Sequence, residues 1–138
     1  MKTYKIIARP DEYLVEVQAD SLEELFFGAL LGANEIIKKG ICDHEMHISQ
    51  TQDIEITSHD ATTLLVDFLN EVLSHTNERK IIFCHLDFQH FDNQMLRAEI
   101  RGERIDVFDE ELKEAIPHGT QIMKNENGIF EVKIPFEM

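Results

Sequence analysis

The sequence predicts an α+β fold in which two helices pack on one face of a mostly antiparallel sheet. Two stretches repeat apolar residues with helical spacing, and several others alternate apolar with polar residues as strands do. The alternating stretches are mostly joined by short turns, which is typical of antiparallel hairpins. With 138 residues, 43% of them hydrophobic, the chain has the size and composition of one domain spanning residues 1–138.

The first elements are a hairpin and a helix. Residues 3–8 and 13–18 alternate as strands, and Arg9-Pro10-Asp11 between them predicts a turn because proline restricts its own φ and that of its predecessor. Residues 21–24, Ser-Leu-Glu-Glu, form a capping box that starts a helix. The helix is expected to end near Lys38-Lys39-Gly40, because basic residues and then glycine favour a helix C-terminus.

A strand and a second helix follow. Ile54 and Ile56 alternate with polar residues, and Asp60 is placed to cap the helix, which is expected to break at Asn77-Glu78-Arg79. The apolar stripe of this helix consists of Leu64, Leu65, Phe68, Leu69, Val72 and Leu73.

The rest of the chain predicts two hairpins. Residues 82–89 and 96–101 alternate on either side of an Asp92-Asn93 turn, and residues 102–111 are expected to form an irregular acidic loop. The last hairpin is predicted to join residues 119–124 to a closing strand at residues 129–138.

Charge narrows the range of partners. The chain has 27 acidic and 13 basic residues, for a formal charge of −14. Proteins hold nucleic acid largely by neutralising phosphates with Lys and Arg, so direct nucleic-acid binding is not expected here. A basic protein partner or a divalent cation suits this charge better.

The expected compartment is the cytoplasm. No apolar run is long enough to span a membrane, so no membrane association is expected, and residues 1–4 do not resemble a signal peptide. Cys42 and Cys84 are interpreted as reduced thiols, although the sequence leaves a disulfide between them open.

Motifs for catalysis are few. The histidines of His44-Glu45-Met46-His47 are three residues apart rather than the four that a helical zinc-protease motif requires, so zinc is not expected. Cys84 lies on the apolar side of its strand, which favours a core position over a nucleophile.

A set of carboxylates remains as the candidate site. Asp11 and Glu12 lie at the first hairpin, and Glu137 precedes the terminal Met138, whose main-chain carboxylate adds a further negative group. Such oxygen ligands suit Ca²⁺, Mg²⁺ or Mn²⁺. Sequence spacing alone does not decide whether Asp11 and Glu12 lie close to Glu137 and Met138 in the folded chain.

The sequence resembles the archease family. Members of this family are small acidic cofactors of the RNA ligase that joins cyclic-phosphate RNA ends to 5′-hydroxyl ends. The resemblance covers nearly the whole chain and rests on the order of several blocks. These are residues 21–26, 66–73, 101–106, 111–113 and 134–138.

The resemblance implies a metal site and an archease-like fold. The family's His-Thr-Ala-Asp signature falls on Arg9-Pro10-Asp11-Glu12, so that Glu12 and Glu137 stand where the family has metal-binding aspartates. Met138 completes the expected ligand set, with Asp11 as a further candidate. The family's functional lysine falls on Glu114, and Lys113 beside it is a further candidate.

The function that the resemblance implies is that of an accessory protein rather than an enzyme. It would promote metal-dependent guanylylation and multiple turnover of a GTP-dependent RNA ligase in tRNA splicing or RNA repair. One alternative is a binding or chaperone-like module that kept the fold without the metal chemistry. Another is a metal-dependent hydrolase, although the sequence shows no evident general base or nucleophile for one.

Overall fold

A computed structural model describes residues 1–44 and 47–138. It contains two helices and eight strands within these ranges. In chain order they are β1 (Lys2–Ala8), β2 (Glu12–Ala19), α1 (Leu22–Ile37), β3 (Gln50–Thr57), α2 (Ala61–Arg79), β4 (Ile81–Phe91), β5 (Met95–Arg104), β6 (Glu114–Ala115), β7 (Met123–Lys124) and β8 (Phe130–Glu137); a single 3-10 turn, Ile41–Asp43, follows α1.

The strands form two antiparallel sheets. The five-stranded sheet has the order β1-β2-β8-β6, with β7 pairing along the same strand β8, and the three-stranded sheet has the order β3-β5-β4. Each helix contacts strands of both sheets. The α+β prediction is therefore confirmed, with the strands divided between two sheets where the sequence suggested one.

Both helices start at the residues that the sequence indicated. The Ser21 hydroxyl accepts a hydrogen bond from the backbone N–H of Glu24, and the Asp60 carboxylate accepts one from that of Thr63. The second helix includes the Asn77-Glu78-Arg79 segment that was predicted to break it, and it ends at Arg79. The next residue, Lys80, caps the helix in a left-handed conformation with φ of 58°.

Small residues bring α1 close to β2. A Cβ atom added to Gly28 would lie 2.7 Å from Cγ1 of Val17, and one added to Gly32 would lie 2.6 Å from Cγ1 of Val15. Contacts this short do not occur between real side chains, so larger residues at either position would push the helix off the sheet.

Two segments differ from the expectation for the C-terminal part. Strand β5 extends to Arg104, into the region predicted as a loop, and only Met123–Lys124 of the predicted 119–124 strand pairs with β8. Strands β6 and β7 pair with the same side of β8 at separate positions, and Pro135 explains the gap between them. The Pro135 carbonyl accepts a hydrogen bond from the Ile116 N–H, but proline has no N–H of its own to continue the ladder.

Cys42 and Cys84 form a disulfide, which corrects the expectation of reduced thiols. The 3-10 turn after α1 brings Cys42 to the start of β4, with the two Cα atoms 5.5 Å apart. Nearby, the buried Asn34 side chain donates a 2.7 Å hydrogen bond to the Phe83 carbonyl. Cys84 is only 6% exposed, so its predicted core position is confirmed.

In the described parts of the chain, neither helix combines the length and the apolar character that crossing a membrane would require.

We expect the disulfide to stabilise the fold by about 2–4 kcal/mol, because it closes a long loop and so restricts the unfolded chain. Urea unfolding with and without reductant measures this difference. Cys84→Ser should be destabilised to a similar degree and should show no further response to reductant. Equal stability of the oxidised and reduced wild-type protein would contradict the prediction.

Candidate functional site

Three glutamates lie side by side at one end of the five-stranded sheet. Glu12 of β2 pairs directly with Glu137 of β8, and Glu137 pairs on its other side with Glu114 of β6. Directly opposed residues on adjacent antiparallel strands have Cβ atoms about 4.5–5.5 Å apart. We call Glu12, Glu137 and Glu114 the glutamate row.

The glutamate row faces away from the helices. Val15 and Val17 of β2, and Ile134 of β8, are buried under α1, and side chains alternate along a strand. Glu12 and Glu137 have the opposite parity, so both carboxylates project from the outer face of the sheet. The row is therefore accessible to a partner.

Arg9 pairs with one member of the row. Its Nη1 atom lies 3.3 Å from Oε1 of Glu12, and the Arg9 backbone N–H donates a 2.9 Å hydrogen bond to the Glu12 carbonyl across the hairpin turn. In the described part of the chain, no salt bridge or side-chain hydrogen bond is made by Glu137 or Glu114. Like charges directly opposed across strands repel, and this repulsion remains uncompensated at Glu137.

The other predicted site residues lie around the row. Met138 follows Glu137, and its side chain packs partly buried against the core. Asp11 is exposed in the turn before Glu12. The Lys113 backbone N–H donates a 2.8 Å hydrogen bond to the Glu137 carbonyl, which places the main chain of Lys113 beside the end of β8.

Asn70 of α2 fixes the strand that carries Glu114. Its side-chain oxygen accepts from the Ala115 N–H at 2.6 Å, and its side-chain nitrogen donates to the Ala115 carbonyl at 3.1 Å. The amide thus pairs with β6 as a neighbouring strand would. Two helical turns later, Asn77 donates a 2.8 Å hydrogen bond to the Leu112 carbonyl. Helix α2 therefore determines where β6 meets β8.

A depression of about 470 Å³ adjoins the row on the outer face of the sheet. Its charged and titratable side chains are Arg9, Glu12, His118 and Lys133, and the rest of its lining is Leu14, Ile116, Gly119 and Pro135. His118 and Gly119 lie in a turn beside this depression, and Gly119 has a φ of 87°.

Tyr13, the residue after Glu12, lies on the inner face of β2 and packs against the core. Burial, followed by the negative charge of Glu110, raises the pKa of Tyr13 above its usual value. The phenol therefore remains neutral at physiological pH, so it adds no charge of its own beside the glutamate row.

The donor chemistry of the row suits a hard cation, because Glu12 and Glu137 place two carboxylates on one face of adjacent strands. Within residues 1–44 and 47–138, however, no group of three or more His, Cys, Asp or Glu side chains is arranged to hold a metal ion. Two carboxylates of the row therefore lie on one face, and a third ligand would have to be a group other than these side chains.

The segment His44-Glu45-Met46-His47 is described only in part, since Glu45 and Met46 lie outside the described residues. His44 ends the 3-10 turn with extended backbone.

Residues 4–136 match the archease protein family (MTH1598/TM1083). The chain belongs to the archease family. No curated protein sequence matches it.

Two solved structures support the same fold. The solution structure of protein 1598 from Methanobacterium thermoautotrophicum has a TM-score of 0.77 and 22% identity, with 98% of each chain covered. The crystal structure of an archease, described as a possible chaperone, from Thermotoga maritima has a TM-score of 0.60 and 16% identity, covering 96% of this chain and 98% of that one. The archease-like fold is therefore confirmed.

Sequence reasoning missed two members of the site. Glu114 joins the row through a strand of only two residues, which has no detectable alternation of its own. The ion pair between Arg9 and Glu12 could have been predicted from the sequence, because the two residues flank a proline turn and the ends of a turn lie close together.

We expect Asn70→Ala to lower the free energy of unfolding by about 1–3 kcal/mol, because the Ala115 N–H and carbonyl lose their partners. Urea denaturation measures the change, and faster hydrogen exchange at Ala115 would locate it. Asn127→Ala, in an exposed turn, serves as the control and should change stability by less than about 0.5 kcal/mol. Unchanged exchange at Ala115 would contradict the assigned role of Asn70.

Proposed function

We propose that this chain is an accessory protein of a GTP-dependent RNA ligase. It would promote metal-dependent guanylylation and multiple turnover of the ligase in tRNA splicing or RNA repair, without turning over a substrate itself. The observation that supports the proposal most is the strand register, which pairs Glu12 with Glu137 on the outer face of the sheet. Membership of the archease family gives the context.

We propose that Glu12, Glu137 and Met138 hold a divalent cation, Ca²⁺, Mg²⁺ or Mn²⁺. Such a cation would supply charge stabilisation to phosphate groups in the ligase active site. The chain's own contribution is to bring two carboxylates together at one end of the sheet, on its outer face, where a partner can approach them. Asp11 and Lys113 would lie at the rim of this contact.

The partner would be a basic protein. A chain with a net charge of −14 is attracted to basic surfaces, and an RNA ligase presents such a surface to its substrate. The same charge opposes direct contact with RNA, so we propose that the chain reaches RNA only through the ligase. The cytoplasm is the compartment that we propose for this encounter.

One observation favours a second candidate function. The Arg9–Glu12 ion pair already supplies a positive charge to the carboxylate that would bind the cation. A chain that uses this pair in place of a metal would be a binding or chaperone-like module, and the Thermotoga maritima relative is described as a possible chaperone. Such a module would protect its partner from aggregation without requiring a cation.

The deciding experiment counts ligation events per ligase molecule, with the host RNA ligase, GTP and limiting Mn²⁺. We expect the wild-type protein to permit multiple turnover. Glu137→Gln should reduce this stimulation by roughly tenfold or more, because it removes one charged ligand while keeping the size of the side chain.

Glu131→Gln is the matched control, since Glu131 lies on the same strand and the same outer face as Glu137. It should stimulate the ligase as well as the wild-type protein does. If the wild-type protein has no effect on turnover but suppresses heat-induced aggregation of the ligase without a cation, the chaperone-like function replaces the accessory one.

A further inference from the structure

The ion pair between Arg9 and Glu12 is held by the local backbone. Pro10 occupies the turn between the two residues, and the Arg9 N–H to Glu12 carbonyl hydrogen bond closes it. The Glu12 side chain is 25% exposed and that of Arg9 is 49% exposed. Because the turn already brings the two residues together, little further freedom is lost when the side chains pair.

We propose that Arg9 is an internal competitor for the cation at Glu12, and that it sets the cation affinity of the glutamate row. This inference rests on the proposed function, because it concerns the same carboxylates. A divalent ion that binds Glu12 must displace the guanidinium or share the carboxylate with it. In either case Arg9 weakens binding.

Electrostatics acts in the same direction. Arginine carries a permanent positive charge, so changing the pH within the physiological range does not relieve the competition. The guanidinium also repels a cation bound between Glu12 and Glu137, although solvent screens this repulsion at the sheet surface. The ion pair and the repulsion together predict that removing Arg9 tightens cation binding by roughly two- to tenfold.

The competition is confined to one end of the row. Glu137 and Glu114 have no cationic side chain paired with them in the described ranges, so both carboxylates remain available. Arg9 therefore leaves the row as a low-affinity site that retains its negative charge. A site of this kind loads when the cation concentration is high and releases the cation when it falls.

Calorimetric titration with Ca²⁺ at low ionic strength tests the inference. The variants are Arg9→Ala, Glu137→Gln and the double variant, and circular dichroism and thermal unfolding check that each is folded. Arg97→Ala is the matched control. It removes the same charge from an exposed ion pair with Glu55 on the other sheet, and it should change the Ca²⁺ affinity by less than about twofold.

The expected result is tighter Ca²⁺ binding in Arg9→Ala and loss of that gain in the double variant. Equal Ca²⁺ affinity in wild type and Arg9→Ala, with binding lost in Glu137→Gln, would overturn the role of Arg9 and leave the proposed cation site intact. A gain that survives in the double variant would place the ion elsewhere and overturn the inference. Absence of Ca²⁺ binding in every variant would overturn both the inference and the cation site of the proposed function.

Discussion

The pairing of β2 with β8 is the interaction on which the rest of the structure depends. These two strands form the centre of the five-stranded sheet, and they join segments near opposite ends of the sequence. Their inner face supplies the surface on which α1 packs, and β1, β6 and β7 all attach to one of them. Because pairing of this kind closes a long loop, its entropy cost must be offset by the core that forms around it.

Local chemistry predicts the elements well and their ends less well. Ser21 and Asp60 cap helices as expected because a cap depends on residues three positions away. The end of α2 was misjudged because Asn77, a poor helix former, is held in the helix by its hydrogen bond to the Leu112 carbonyl. That contact comes from a distant part of the chain, so no local pattern could reveal it.

The site was predictable in its chemistry and only partly in its geometry. The sequence identified Glu12 and Glu137 as candidate carboxylates, but only strand pairing shows that they oppose each other on the outer face of the sheet. The disulfide was missed for a similar reason, since the approach of Cys42 to Cys84 depends on how α1 meets β4. Contacts between distant segments are what a single sequence predicts least well.

The two-residue period of a strand separates side chains that build the core from side chains that face outward within the same segment. Val15, Val17 and Ile134 face α1, where any change in volume disturbs a close-packed core. Glu12 and Glu137 lie on the opposite face of the same strands, where a change in side-chain length or charge does not alter the packing of the core. Substitutions on the outer face therefore change its charge without disturbing the core that α1 covers.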